Sequence, residues 1–379
     1  MADKRKAISF FDYSLVIMVM FIAGVGLVMM YSASGYSAQN QMNDAMYFFK
    51  RQFGFALVGL LFMLLIGNFL DYHWLLRWHK IIYILSWIMV ILTFVMGIAS
   101  HGQARWIKLG PIRFQPSEIM KIAVILSTTA SIRQRMNRLG NIKELVYTMA
   151  VGIVPMCLIA KSNLSTALII GGITMALVFV ATKSYKYYVL LAMLGTGVYV
   201  GAYPIAKAFE SMNMLQSYQL LRIFAWKDPA SYSDETFQTL QGLYAIGSGG
   251  IFGKGLGESV QKFLMPEAQN DMIFTIICEE LGLFGAVSIV LMYAFVIWRL
   301  YSIARDARDM VGSFIVLGIM VHISLQVILN IAVATNVVPN TGVTLPFISY
   351  GGTSLLILMS EMGIALNVSK QTTIETVEE

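Results

Sequence analysis

Charge is scarce in this sequence: Asp, Glu, Lys and Arg make up 13% of the 379 residues, while 57% are hydrophobic. Soluble domains carry about twice that share of charge, so a water-soluble fold is excluded and no nucleic-acid partner is expected. There are only two cysteines, Cys157 and Cys278. Both fall inside apolar runs, which argues against a structural disulfide and for small buried side chains. GKGLG lacks the spacing and the preceding strand of a phosphate-binding loop. No His, Cys or clustered-carboxylate spacing marks a dedicated metal cage. The front, MADKRK, and the tail, KQTTIETVEE, leave little room for a folded cytoplasmic domain.

What is abundant is apolar sequence in runs of bilayer length. Ten spans are expected, near 12–32, 53–70, 81–99, 116–132, 146–161, 165–182, 187–206, 271–298, 312–336 and 347–367. The expected fold is therefore an all-α integral membrane protein, a single polytopic domain over 1–379 with a large extracytoplasmic loop at 207–270 between spans 7 and 8. Ser32 to Ser34 resemble a signal-peptide cleavage site, but the preceding run is long and further spans follow, so a retained first helix is expected. Short loops rich in Lys and Arg, such as Lys4–Lys6, Arg133–Lys143 and Arg299–Arg308, define the cytoplasmic side and place both termini there.

On the opposite side one acid stands out. In PEAQNDMIFTIICEELG, Asp271 sits where a polar loop enters an apolar helix. A carboxylate at that boundary is costly to desolvate and marks either an ion, proton or substrate site, or an N-terminal helix cap. Glu279 and Glu280 follow about 12 Å deeper. At most one can share the face of Asp271, and the other is expected to meet a cation or a helix terminus.

The short outer loop HGQARWIKLGPIRF breaks the charge rule with Arg105, Lys108 and Arg113. Three cations beside Trp106 suit an anionic head group, since guanidinium matches phosphate geometry; plain snorkelling toward lipid is the alternative. Glu118 and Lys121, three apart in the fourth span, are expected to pair on one helix face and line the cavity. The glycines of IGSGGIFGKGLGES would bend a mobile or closely packed loop. Tyr218, Gln219 and Arg222 could share a short helix face, with an interfacial helix and solvated Arg as the plain reading. Pro339, Pro346 and Gly351-Gly352 suggest broken helix geometry around the last span, lining the same cavity or forming a plain outer loop.

RWIKLGPIRFQPSE, YQLLRI, AIGSGGIFGKGLGESVQK, MPEAQNDMIFTIICEELG and NTGVTLPFISYGGTS occur in that order across the chain. Through them the sequence resembles the SEDS family of shape, elongation, division and sporulation proteins, closer to its FtsW and SpoVE branch than to RodA. The resemblance implies a peptidoglycan glycosyltransferase of the bacterial cytoplasmic membrane. It would polymerise lipid II on the outer face by inverting transfer, beside a class B penicillin-binding protein. Asp271 matches the family's essential aspartate and would be the general base. Arg105 matches the outer-loop arginine and, with Arg51 and Arg222, would hold the diphosphate as charge grows on it. Lys108, Glu118, Lys121 and Ser349 would complete the substrate-binding set, together with Asn163, which stands where the family has an acid. Asn cannot act as a base or bind a cation strongly. A loosely held Mg²⁺ or Mn²⁺ bridging phosphate is the most that is expected of a cofactor. The other function classes compatible with the sequence are a lipid II flippase, which no internal repeat supports, and a non-catalytic scaffold for a penicillin-binding protein.

Overall fold

The computed structural model of the chain describes residues 6–96, 98–100, 103–109, 112–182, 189, 193, 196–197, 199–201, 204, 207, 217–227 and 233–376. Its helices are α1 (Tyr13–Met42), α2 (Tyr47–Phe69), α3 (Tyr72–Arg77), α4 (His79–Met96), α5 (Pro116–Arg135), α6 (Ile142–Ala160) and α7 (Leu164–Thr182). After these come α8 (Ser217–Lys227), α9 (Ser233–Ser248), α10 (Ile273–Arg305), α11 (Met310–Ala334) and α12 (Gly352–Lys370). Nine of the ten expected spans fall on these helices; the one at 187–206 lies largely outside the described residues. Seven helices are long and apolar enough to cross a membrane, and the apolar part of α4, His79–Val95, is shorter.

The helix α5 is too polar for that set, and its position explains why. It packs against α4, α6, α7 and α11, and Pro116 to Ser131 is buried almost without interruption. A helix shielded from lipid on all sides does not need an apolar surface, and its polar groups are satisfied by neighbours. Pro116 opens it at a position where the missing N–H costs nothing.

The first helix packs against α2 and α10 and runs ten residues beyond the expected end at 32. The small residues that mimic a cleavage site are packing residues: Ala33 and Ser34 are buried, and Ser32 Oγ donates to both carboxylate oxygens of Glu280 at 2.6 and 2.7 Å. One turn and a half earlier, a Cβ on Gly26 would lie 2.7 Å from Ile348 Cα, so only glycine permits that approach. Cys278 is buried as expected, whereas Cys157 is exposed on the surface of α6. A thiol is apolar enough to face lipid, so burial among protein atoms was not required.

Two small sheets were not foreseen. β1 (Lys6–Ser9) pairs antiparallel with β5 (Thr373–Thr376), which brings the two ends of the chain together on one side. Nearby, Asp12 caps α1 through Leu15 N and accepts from Arg299 Nη2 at 2.6 Å. The basic loop between α4 and α5 forms a meander of β2 (Ile98–Ser100), β3 (Gln103–Leu109) and β4 (Ile112–Phe114).

The other unforeseen feature is a break inside α10 at Gly282, whose φ of +67° and ψ of −164° are closed to other residues. The glycine-rich segment after α9 fills the break: Leu283 and Phe284 N–H donate to Gly250 and Ile251 carbonyls, and Lys254 and Gly255 N–H donate to the carbonyls of Glu279 and Glu280. These glycines serve close approach: a Cβ on Gly249 would lie 2.0 Å from Cys278 O, and Gly250, Gly253, Gly255 and Gly257 all have positive φ. Broken backbone within a membrane protein is tolerated where protein satisfies its polar groups, as this segment does.

Candidate functional site

Asp271 ends a compact turn, Pro266 to Asp271, and α10 begins two residues later. The cap position is Met272, with no side-chain cap bond, so Asp271 is not the N-cap of α10. Its Oδ1 instead accepts from Gln238 Nε2 of α9 at 3.3 Å, and the same amide nitrogen donates to Pro266 O at 3.2 Å. From α11, Asn330 Nδ2 donates to the main-chain oxygen of Asp271 at 2.9 Å. Its Oδ2 lies beside Gly342, where an added Cβ would be 3.7 Å away and where φ is +69°.

The irregular segment 337–351 before α12 ties this turn to the other candidate residues. Tyr350 N–H donates to Gln269 O, and Gln52 of α2 bridges Ser349 O and Gly351 N. The hydroxyl of Ser349 accepts from Leu345 N at 2.7 Å, so it folds this turn from within. Arg51, also on α2, donates to Tyr47 OH at 3.0 Å, and both Arg51 and Arg113 act electrostatically on Tyr350. Arg222 of α8 donates to Asn340 O at 2.9 Å and lines a small cleft with Trp226, Thr236, Thr239 and Asn336. Of the face proposed around Arg222, the side chains of Tyr218 and Gln219 lie outside the described residues.

Arg105 and Asn163 meet on the same side of the segment. Arg105 Nε donates to Ser162 O at 2.5 Å; Asn163 Oδ1 accepts from Thr166 N at 3.2 Å; Ser165 Oγ donates to Thr341 O at 2.6 Å, one residue from Gly342. Asn163 thus caps the first turn of α7, a task that an amide performs as well as an acid. Lys108 stands directly across from Arg113 in the β3–β4 register, and both are exposed. Arg105 sits at a bulge in β3, between Ala104 and Trp106, where the register to β2 shifts, and it is half-buried where Lys108 and Arg113 are exposed. The three loop cations thus differ in setting, one half-buried on Ser162 O and two exposed.

Glu118 and Lys121 pair as expected, Nζ to Oε1 at 2.9 Å, almost wholly buried. Glu118 Oε2 accepts from Ser354 Oγ at 3.1 Å and Lys121 Nζ reaches Gln326 Oε1 at 3.4 Å. This pair therefore clamps α5 to α11 and α12. Both deep acids also meet cations: Glu279 pairs with Lys254 at 2.6 Å and Glu280 with Lys262 at 3.2 Å, and both carboxylates are fully buried.

Sequence reading missed Gln238, Asn330 and Asn340. One signal was available: His322, Gln326 and Asn330 recur every four residues in an apolar helix and so form one buried polar face of α11. Gln326 Nε2 and Asn330 Nδ2 take up the carbonyls of Thr344 and Val343. Among the described residues, no three His, Cys, Asp or Glu side chains gather. The described residues therefore offer no protein-built divalent cage.

A helical bundle with seven helices long and apolar enough to cross a membrane, and with Asp271 held between α9, α11 and the irregular segment 337–351, defines a multi-pass membrane protein. The cell cycle protein family that groups FtsW, RodA and SpoVE matches residues 13–374, and the chain belongs to it. Stage V sporulation protein E of Bacillus subtilis is 36% identical over 365 residues, covering 95% of this chain and 97% of that protein. The probable peptidoglycan glycosyltransferase FtsW of Trichlorobacter lovleyi is 36% identical over 375 residues, covering 96% and 95%. Among solved structures, a chain of a peptidoglycan synthase complex that coordinates polymerization and crosslinking superposes with a TM-score of 0.77 at 24% identity, covering 96% of this chain and 98% of that one. The rod shape determining protein RodA of Thermus thermophilus does so at 0.68 and 23%, covering 96% and 97%. Likeness at that identity establishes the fold.

Proposed function

We propose that the chain is a peptidoglycan glycosyltransferase that polymerises lipid II at the outer face of the cytoplasmic membrane, with both termini inside and residues 207–270 forming one outer loop. The observation that carries this reading is the placement of Asp271 among Gln238, Asn330 and Gly342, on a chain 36% identical to proteins named for that activity.

In this reading the Asp271 carboxylate takes the proton of the acceptor sugar's 4-hydroxyl as its oxygen attacks the donor's anomeric carbon, inverting that centre. The anomeric carbon–oxygen bond breaks and the diphosphate leaves with the electron pair. Arg105, Arg51 and Arg222 stabilise charge growing on that diphosphate. Lys108 and Arg113 support the same role: like charges directly opposite on a strand pair repel, and a shared anion relieves that cost. Glu118 and Lys121 shape the cavity floor. Mg²⁺ or Mn²⁺ would ride on the diphosphate, and no step depends on it. A class B penicillin-binding protein would cross-link the product.

The test is to mix the purified full-length chain, alone and with a class B penicillin-binding protein, with labelled lipid II in detergent and in sealed vesicles. Glycan polymer in detergent is the expected result. Transport across vesicles without polymer would replace the proposal with a flippase, and neither activity would leave a scaffold.

A further inference from the structure

We propose that Gln238 is a positioning residue that holds the carboxylate of Asp271 in its reacting orientation, and that Asn340 links this hold to Arg222. The proposal deepens the reading of Asp271 as general base and rests on it.

The orientation of the Gln238 amide is fixed by chemistry. Pro266 O is a carbonyl and can only accept, so the NH₂ end of Gln238 must face it, at 3.2 Å. The other hydrogen of that NH₂ then meets Asp271 Oδ1 at 3.3 Å. One amide thus bridges the two ends of the Pro266–Asp271 turn. Its remaining atom, Oε1, accepts from Asn340 Nδ2 at 3.3 Å, which prevents the amide from flipping. Asn340 in turn offers its main-chain oxygen to Arg222 Nη1 at 2.9 Å, and its Oδ1 accepts from Gly342 N at 3.1 Å.

A carboxylate on a turn has two torsions of its own, and a base works only with an oxygen aimed at the proton it removes. Tying Oδ1 to Gln238 narrows the range of those torsions, with Oδ2 beside Gly342, where the chain carries no side chain. Asn340 joins the base to the cation: a shift of Arg222 on meeting a diphosphate moves Asn340, and through it Gln238. The register of α9 supports this division of labour. Thr239 and Thr236 are buried toward the Arg222 cleft, while Gln238 reaches the turn.

The experiment is polymerisation of labelled lipid II by the full-length chain across pH, with Asp271→Asn, Gln238→Met and Gln238→Glu beside wild type. Gln238→Met keeps length and bulk but loses every hydrogen bond. Its kcat is expected to fall roughly tenfold with KM within about twofold, the pattern of an interaction used in the transition state. A hydrogen bond to the charged form is lost, so the acid limb of the profile moves up by roughly one pH unit. Gln238→Glu sets a second carboxylate against the first, and its acid limb moves further in the same direction; this variant carries the test if Gln238→Met fails to fold. A Gln238→Met enzyme with wild-type kcat and acid limb, beside an inactive Asp271→Asn, overturns the positioning role and leaves the base in place. Wild-type rates in Asp271→Asn overturn the base, and the positioning role with it.

Discussion

Asn330 reaches from α11 to the main-chain oxygen of Asp271, with Nδ2 2.9 Å from it and 2.7 Å from the carbonyl oxygen of Val343. One fully buried amide thus fixes the turn that carries the acid and the segment that faces it. Asn330→Leu leaves two carbonyls without this donor, at about 1–3 kcal/mol for each unsatisfied buried group. Thermal unfolding of the purified chain is expected to shift down and polymerisation to fall; an unchanged melting temperature would show that neither bond matters.

Gly342 has a φ of +69°, and a Cβ there would lie 3.7 Å from Asp271 Oδ2. Gly342→Ala is expected to cost about 1–2 kcal/mol of backbone strain. Gly342→Val adds bulk next to the carboxylate, so its loss of polymerisation should exceed its loss of stability relative to alanine. Equal activities in the two variants, measured as initial rates, would remove Gly342 from the site.

Arg105 is half-buried and held on Ser162 O, whereas Lys108 is exposed, across from Arg113. Arg105→Ala is expected to weaken use of lipid II more than Lys108→Ala, by roughly tenfold in kcat/KM. Wild-type values in both would discard the diphosphate clamp.

Glu280 is fully buried and is met by Lys262, Ser32 and Ser259. Removing one partner of such a pair strands a buried charge, at about 3–5 kcal/mol. Lys262→Met should therefore lower the melting temperature sharply, and adding Glu280→Gln should recover part of the loss. A double variant no better than the single would show that the loss is of packing rather than charge.

A pH effect is expected at the end of the bundle where α3 meets α11. Burial disfavours the charged form of His73, but its bonds with Asp71 and Asp309 outweigh that and hold its pKa above the ordinary 6.5. Burial also opposes the charge of Asp309, yet bonds from Gly312 N–H, His73 and Tyr72 hold its pKa below 3.8. The raised histidine therefore contributes stability that is fully present below pH 6.5 and is lost as pH rises through its folded value. The acid contributes stability present above 3.8 and lost as pH falls through its own folded value. Melting temperatures of wild type and His73→Asn should differ most between these limits and converge at alkaline pH; a constant difference would mean that charge plays no part.

Much of the fold was legible because a bilayer demands long apolar runs, and the helices follow them. Asp271 was legible for the same reason, as a lone acid at the edge of such a run. What surrounds it was not. Gln238 and Asn340 lie 33 and 69 residues away on either side, in stretches with no period to read, and uncharged amides raise no alarm in a polar segment. The two deep acids at 279 and 280 were visible as costly, but their lysines were not, because a single glycine at 282 breaks the helix and lets the glycine-rich segment fold back. The three cations of 105–113 looked alike in sequence, but Arg105 is half-buried on Ser162 O while Lys108 and Arg113 stand exposed across from each other. Asn163, read as a lost charge, turns out to cap α7.

The role of Asp271 as a base is tested most directly by one measurement: the initial rate of glycan polymer formation from labelled lipid II by Asp271→Asn and by wild type, at equal protein and matched melting temperature. The predicted result is a fall of about 100-fold or more, the usual contribution of a positioned base. A rate within about twofold of wild type, less than a positioned base contributes, would contradict it.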